Sequence, residues 1–344
     1  MPRAPDDEMS SIPLHALVGL LPVLTFLATL LYLDSYKLVK LRAVIAIVAC
    51  GALVAGASYL MNGWAIGLID IDLSHFSRYV APVTEELLKG LVIVALIRTH
   101  RIGFLVDAAI FGFAVGAGFA MVENLYYLGL IPSAGLGTWI VRGFGTAIMH
   151  GGATAIFAVS GLAMLDRATR AKLQSMLPGF GLAVVLHSGF NHLSDSPRIA
   201  TLVMFVVLPP LLYAVFQRSE KTVGDWLGHG FDADTEMLEL IHSGRLSNSP
   251  VGEYLHTLKE KFQGPIVADV LCYLRLYTEL ALRAKGILMM RENGFDMPVD
   301  QATRDKFTEM RYLETSIGRT GLLAIQPMLH MSHKDLWQLY MLGK

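Results

Sequence analysis

The chain has 344 residues, of which 53% are hydrophobic and only 17% charged, with a mean hydropathy of +0.50. That composition excludes an ordinary soluble domain. The formal net charge of −1 gives nucleic-acid binding no electrostatic support. Cys50 and Cys272 form neither a disulfide framework nor a CxxC metal pair.

A membrane span needs roughly 20 mostly apolar residues to cross ~30 Å of hydrocarbon. Seven stretches qualify, at about 13–33, 41–61, 79–97, 105–130, 143–165, 177–193 and 200–217, which predicts an all-α polytopic helix bundle. Asp6, Asp7 and Glu8 precede the first, where a signal peptide would carry basic residues, so it reads as a retained span. The third and sixth are the least hydropathic, and both carry polar side chains. Lys37, Lys40, Arg42, Arg98, Arg101, Arg167, Arg170, Lys172, Arg218 and Lys221 all fall on one side of a seven-span chain. Arg3, Arg78, Arg142 and Arg198 fall on the other. The positive-inside rule then places the amino terminus outside and the carboxyl terminus in the cytoplasm. Trp64, Trp139, Tyr126 and Tyr127 are expected near the outer interface.

The division expected is a transmembrane domain over 1–217 and a soluble cytoplasmic domain over 218–344. The second region holds 15 Lys/Arg and 17 Asp/Glu and no span-length apolar run. Within it Val267, Val270, Leu271, Leu274, Tyr277 and Ala281 recur at helical spacing, as one buried face. Asn293-Gly294 and Pro298 break the pattern, and a further helix is expected from about Asp300 to Ile317. No catalytic constellation is apparent there.

Four polar islands interrupt the apolar runs. Glu85-Glu86-Leu-Leu-Lys89 opens the third, and an ionisable group near a bilayer centre costs at least ~2.5–3.5 kcal/mol. Glu85 and Lys89 are four apart and are expected to pair, with Glu86 turned ~100° away. The two carboxylates therefore cannot serve the same role: one can face water and act as a general base while the other orients a neighbour or the backbone. In the fourth run Phe119, Glu123 and Tyr127 form one stripe, and the tyrosine hydroxyl is expected to hydrogen-bond the carboxylate or a developing oxyanion. Gly112, Gly116 and Gly118 precede them and allow close helix approach. Asp107, at the start of that helix, reads as structural. The fifth run contains His150, with Thr154 one turn on; the sixth contains His187 and Asn191, again four apart. Such a pair can hold a carbonyl oxygen or bind a metal. Counted from the outer helix ends, all four islands lie roughly 8–10 Å deep. A shared cavity opening to the extracytoplasmic side accounts for that common level.

In order and spacing these motifs resemble the PrsW family of intramembrane proteases, within the superfamily of the CAAX prenyl endopeptidases. The family's EExxK, FxxxExxxY, histidine span and HxxxN correspond to Glu85, Glu86 and Lys89; to Phe119, Glu123 and Tyr127; to His150; and to His187 with Asn191. The resemblance runs over about 80–195. It implies cleavage of a membrane protein, such as a single-span anti-sigma factor, near the extracytoplasmic face of a bacterial inner membrane. By similarity the glutamate pair would activate water, His187 and Asn191 would stabilise the oxyanion, and Glu123 and His150 would complete the site. Glu86, Glu123, His150 and His187 are the candidate ligands for a divalent metal such as zinc. No HExxH is present, and metal dependence stays open at this point, with glutamate and water the preferred mechanism. The competing readings are a proton-coupled transporter, which would use the same residues as a relay, and a catalytically silent scaffold. Transporter folds often show repeated halves with broken helices, and the chain shows no such repeat.

Overall fold

The computed structural model describes residues 5–69, 71–167, 173–193, 196–295, 297–329 and 333–342. Arg3, Arg170 and Lys172 of the charge argument lie outside them. The described residues are helical with no strand. In chain order they form α1 (Pro5–Leu33), α2 (Leu41–Leu68), the single turn α3 (Leu73–His75), α4 (Ala81–Arg98) and α5 (Leu105–Leu130). Then come the short α6 (Leu136–Ile140), α7 (Ala147–Arg167), α8 (Leu177–His192) and α9 (Pro197–His242). The remainder are α10 (Pro250–Leu258), α11 (Gly264–Glu292), α12 (Gln301–Ile325) and α13 (His333–Leu342). Internal contacts divide the chain into residues 1–219 and 220–344.

Among the described residues, six segments are long and apolar enough to cross a membrane: Ile12–Leu33, Leu41–Leu68, Leu105–Leu130, Leu136–Asp166, Leu173–His192 and Pro197–His242. The third of the seven expected spans is the helix α4, which falls short because Glu85, Glu86, Lys89 and Arg98 crowd its 18 residues. The seventh does not stop at Gln217. α9 continues for 25 residues into charged sequence, and Pro209 and Pro210 sit inside it.

α5 is the centre of the first unit, buried from Val106 to Ala120. Its glycines explain how. An added Cβ at Gly116 would lie 2.1 Å from the His150 carbonyl oxygen on α7, and one at Gly118 would lie 2.0 Å from the Val48 carbonyl on α2. Helix backbones thus meet at distances that a side chain would forbid. Asp107 accepts from the backbone N–H groups of Gly103 (2.8 Å) and Phe104 (2.7 Å), closing the start of the helix. The hydroxyl of Ser219 on α9 accepts from the Val106 N–H at 3.1 Å. Trp139 packs inward. It is 1% exposed and stacks on His15 of α1, whereas Trp64 is 69% exposed.

Backbone between the short turns and the site helices is wound as π-helix, over Phe76–Val80 before α4 and Val141–Thr146 before α7. Side chains of α8 meet the first of these. Ser188 donates to the Arg78 carbonyl (2.6 Å) and Asn191 to the Ser77 carbonyl (2.8 Å). π-Helical turns recur at functional sites.

In the second unit α11 buries Val267, Val270, Leu274, Tyr277 and Ala281 as the spacing requires, while Leu271 of the same expected face is 38% exposed. Phe307, Met310, Leu313 and Ile317 of α12 form the opposing apolar face. Asp300 caps α12 by accepting from the Thr303 N–H at 2.8 Å. Helical backbone breaks at Gly318, one residue after the expected end, with φ at 67°, a left-handed value that favours glycine. Lys285, 2% exposed, is neutralised by Asp234 at 2.5 Å.

Candidate active site

α4 brings two carboxylates and a cation to one level, and the helices around it decide their partners. Lys89 pairs with Glu86, not with Glu85: Nζ lies 2.8 Å from Glu86 Oε1. Both i+3 and i+4 neighbours are within reach of a lysine, and the completely buried Lys89 turns with Glu86 toward α7. There its Nζ donates to His150 Nδ1 at 2.8 Å and sits 4.0 Å over the Phe119 ring. Glu86 Oε1 also accepts from His187 Nδ1 at 2.9 Å, and the Thr154 hydroxyl is 3.4 Å from its other oxygen.

Glu85 lies on the side that Glu86 leaves free. Its side chain is 15% exposed, against 1% for Glu86. Asn62 of α2 donates to Glu85 Oε1 at 3.2 Å, and Oε2 faces His187 Nε2 across 3.9 Å.

Glu123 closes the cluster from α5. Its Oε2 is 2.7 Å from His150 Nε2, and its Oε1 accepts from Arg142 at 3.0 Å. Tyr127 contributes its ring rather than the expected hydroxyl contact: the Arg142 guanidinium stacks 3.8 Å from the ring centre. Arg142 also donates to Asn124, whose amide donates to the Gly19 carbonyl of α1 at 2.8 Å.

The partners assign the imidazole tautomers. A lysine ammonium only donates, so His150 Nδ1 accepts and its Nε2–H points at Glu123. A carboxylate only accepts, so His187 Nδ1–H points at Glu86 and leaves Nε2 toward Glu85. The two rings meet edge to face, 4.7 Å apart.

Six of the expected residues thus meet through side chains: Glu85, Glu86, Lys89, Glu123, His150 and His187, with Phe119 packed against Lys89 and His150. Asn191 is half-exposed, its described bond running to the Ser77 carbonyl. Reading the sequence missed Asn62, Thr84 and Asn124, and took Arg142 only as a boundary marker. Asn124 directly follows Glu123, and Asn62 is an amide at the end of an apolar run; those were the available signals.

Among the described residues, the donor group that could hold a metal is Glu85, His150 and His187, with ligand atoms within 4.8 Å of one another. Glu85 stands where Glu86 and Glu123 were expected, because Lys89 and His187 saturate Glu86 while Arg142 and His150 occupy Glu123. Two histidines and a carboxylate suit zinc in kind. In the arrangement held here they do not fit. Both ring nitrogens of His150 are committed, one of them to an ammonium 2.8 Å away that occupies the line of approach.

Comparison with curated proteins and with solved structures returned no match. Compared with protein families, residues 40–215 match the PrsW family, described as PrsW family intramembrane metalloprotease. The matched segment is just over half the chain and holds every residue of the cluster. The chain belongs to the PrsW family of intramembrane proteases.

Proposed function

We propose that the protein cleaves a single-span membrane protein, of the anti-sigma-factor kind, near the extracytoplasmic face of a bacterial inner membrane. With α4 counted as a seventh crossing despite its lower hydropathy, the amino terminus lies outside and the 220–344 unit in the cytoplasm. The asymmetry of loop cations supports that orientation, and the outer-half depth counted along each helix agrees with it.

Glu85 is the general base. The observation that carries this reading is the contrast between the two carboxylates. Glu86 is buried and committed to Lys89 and His187, whereas the Glu85 side chain is partly exposed and its Oε2 faces His187 Nε2 at 3.9 Å. A water seated there gives its two hydrogens to two acceptors and presents a lone pair to the scissile carbonyl. As the oxygen attacks, Glu85 takes the proton and later delivers it to the leaving amine. Glu86 holds His187 in the tautomer that leaves Nε2 available. Glu123 and Lys89 hold His150 in the same manner. Asn191, one turn beyond His187, offers its second amide hydrogen to the oxyanion. Phe119 and Tyr127 support Lys89 and Arg142 through their ring faces.

The test compares membrane proteomes of cells lacking the protein, cells carrying it, and cells carrying Glu85→Gln. Fragments of a single-span protein should accumulate only with the wild type. The same fragments in the Glu85→Gln strain would overturn the reading.

A further inference from the structure

The resemblance that located the carboxylates leaves out what aims Glu85. Asn62 on α2 reaches Glu85 Oε1 with its amide nitrogen at 3.2 Å. Its amide oxygen is in turn 2.5 Å from the Thr84 hydroxyl, which also lies 2.9 Å from the Ala81 carbonyl. Thr84 directly precedes Glu85 in the chain, so the relay leaves α4, crosses to α2 and returns one residue on.

The direction of that relay matters. An amide can face a neighbour with either end. With its oxygen accepting from Thr84, Asn62 must present N–H to the carboxylate. The reverse orientation would set oxygen against oxygen. An asparagine in an apolar helix is costly unless its groups are bonded, and here both ends are used. Glu86 is held from α7 and α8 by other groups, so this pair acts on one carboxylate alone.

We infer that Asn62 and Thr84 are positioning residues for Glu85: they hold Oε1 and so leave Oε2 aimed at the attacking water. This rests on Glu85 being the base. Because the pair acts through Glu85, its loss should slow turnover without weakening substrate binding.

The experiment uses the full chain in proteoliposomes with a fluorogenic single-span protein carrying the cut sequence found in the strain comparison. A hydrogen bond to a charged group is worth about 1.5–3 kcal/mol, equivalent to ~10–150-fold in rate. Asn62→Leu should lower kcat within that range. Thr84→Val, which breaks a bond between neutral groups, should lower it by about 2–10-fold. Both should leave KM within about twofold. Thr84→Ser, which keeps the hydroxyl, should restore kcat. Asn62→Asp, which sets a carboxylate against a carboxylate, should be slower than Asn62→Leu. Wild-type kcat in both Asn62→Leu and Thr84→Val overturns the inference, as does a Thr84→Ser no faster than Thr84→Val. Should Asn62→Leu fail to fold, the Thr84 variants decide alone. Cleavage by Glu85→Gln would instead overturn the reading beneath, whatever these variants do.

Discussion

Lys89 is the cation around which the cluster is arranged. It neutralises Glu86, sets the His150 tautomer and rests on Phe119, all without exposure to solvent. Removing one partner of a buried pair strands the other, at a cost of about 3–5 kcal/mol. Lys89→Met should therefore lower the thermal unfolding midpoint of the purified protein as well as abolish cleavage. A variant as stable as the wild type would show that the ammonium is not the keystone. The commitment of both His150 nitrogens makes a second expectation. Cleavage by the purified enzyme should persist after treatment with a strong chelator, and active preparations should carry well under one metal per chain. Loss of activity on chelation, restored by added zinc, would contradict it. At this scale the sequence spoke in part. Side chains as expensive as Glu85, Glu86 and Lys89 announce themselves in an apolar helix. Which glutamate the lysine takes depends on where α5 and α7 stand, and i+3 and i+4 spacings are equally open until they do. Arg142 was obscured because a cation near a helix end is ordinarily solvated, and only the fold places it over Tyr127 and against Glu123.

Helices here are placed by what they lack. Gly116 lets α5 lie against the backbone that carries His150, and the GxxxG-like spacing made that close approach legible in advance. Gly116→Ala would force the two helices apart at the point where His150 hangs. Overpacking of this kind costs typically about 1–3 kcal/mol, and cleavage should fall with it. An alanine variant with normal unfolding temperature and rate would refute the claim. The π-helical turns before α4 and α7 left no trace in the hydropathy, since they alter backbone winding and not composition. In the second unit, the α12 start was readable from Asp300. Thr303, through its hydroxyl and then its N–H, holds the Asp300 carboxyl below its usual range. A depressed folded value contributes stability that is present above the ordinary carboxylate pKa and lost as pH falls through the lowered one. Protection of the Thr303 and Arg304 amides, measured against their intrinsic exchange rates, should fall only on acidification below about pH 4. Protection unchanged to lower pH would mean that the cap is dispensable.

For the whole molecule, composition alone dictates a helical membrane bundle followed by a charged helical region. The span count was less legible, because α4 carries chemistry at the expense of hydropathy and α9 continues beyond its apolar part. Orientation is testable directly. Ser133 lies exposed in the turn between α5 and α6. In a Cys50→Ser/Cys272→Ser background, Ser133→Cys should react with an impermeant maleimide added outside intact cells. Labelling only after the cytoplasm is opened would invert the topology. The central claim is that a partly exposed Glu85 activates water while a buried Glu86 organises its neighbours. It is tested most directly by single-turnover cleavage of a reconstituted single-span substrate, with the cut position mapped by mass spectrometry. The account predicts a cut near the extracytoplasmic end of the substrate helix, no product from Glu85→Gln, and correctly inserted protein in that variant. Wild-type cleavage by Glu85→Gln, or a cut at the cytoplasmic end, would contradict it.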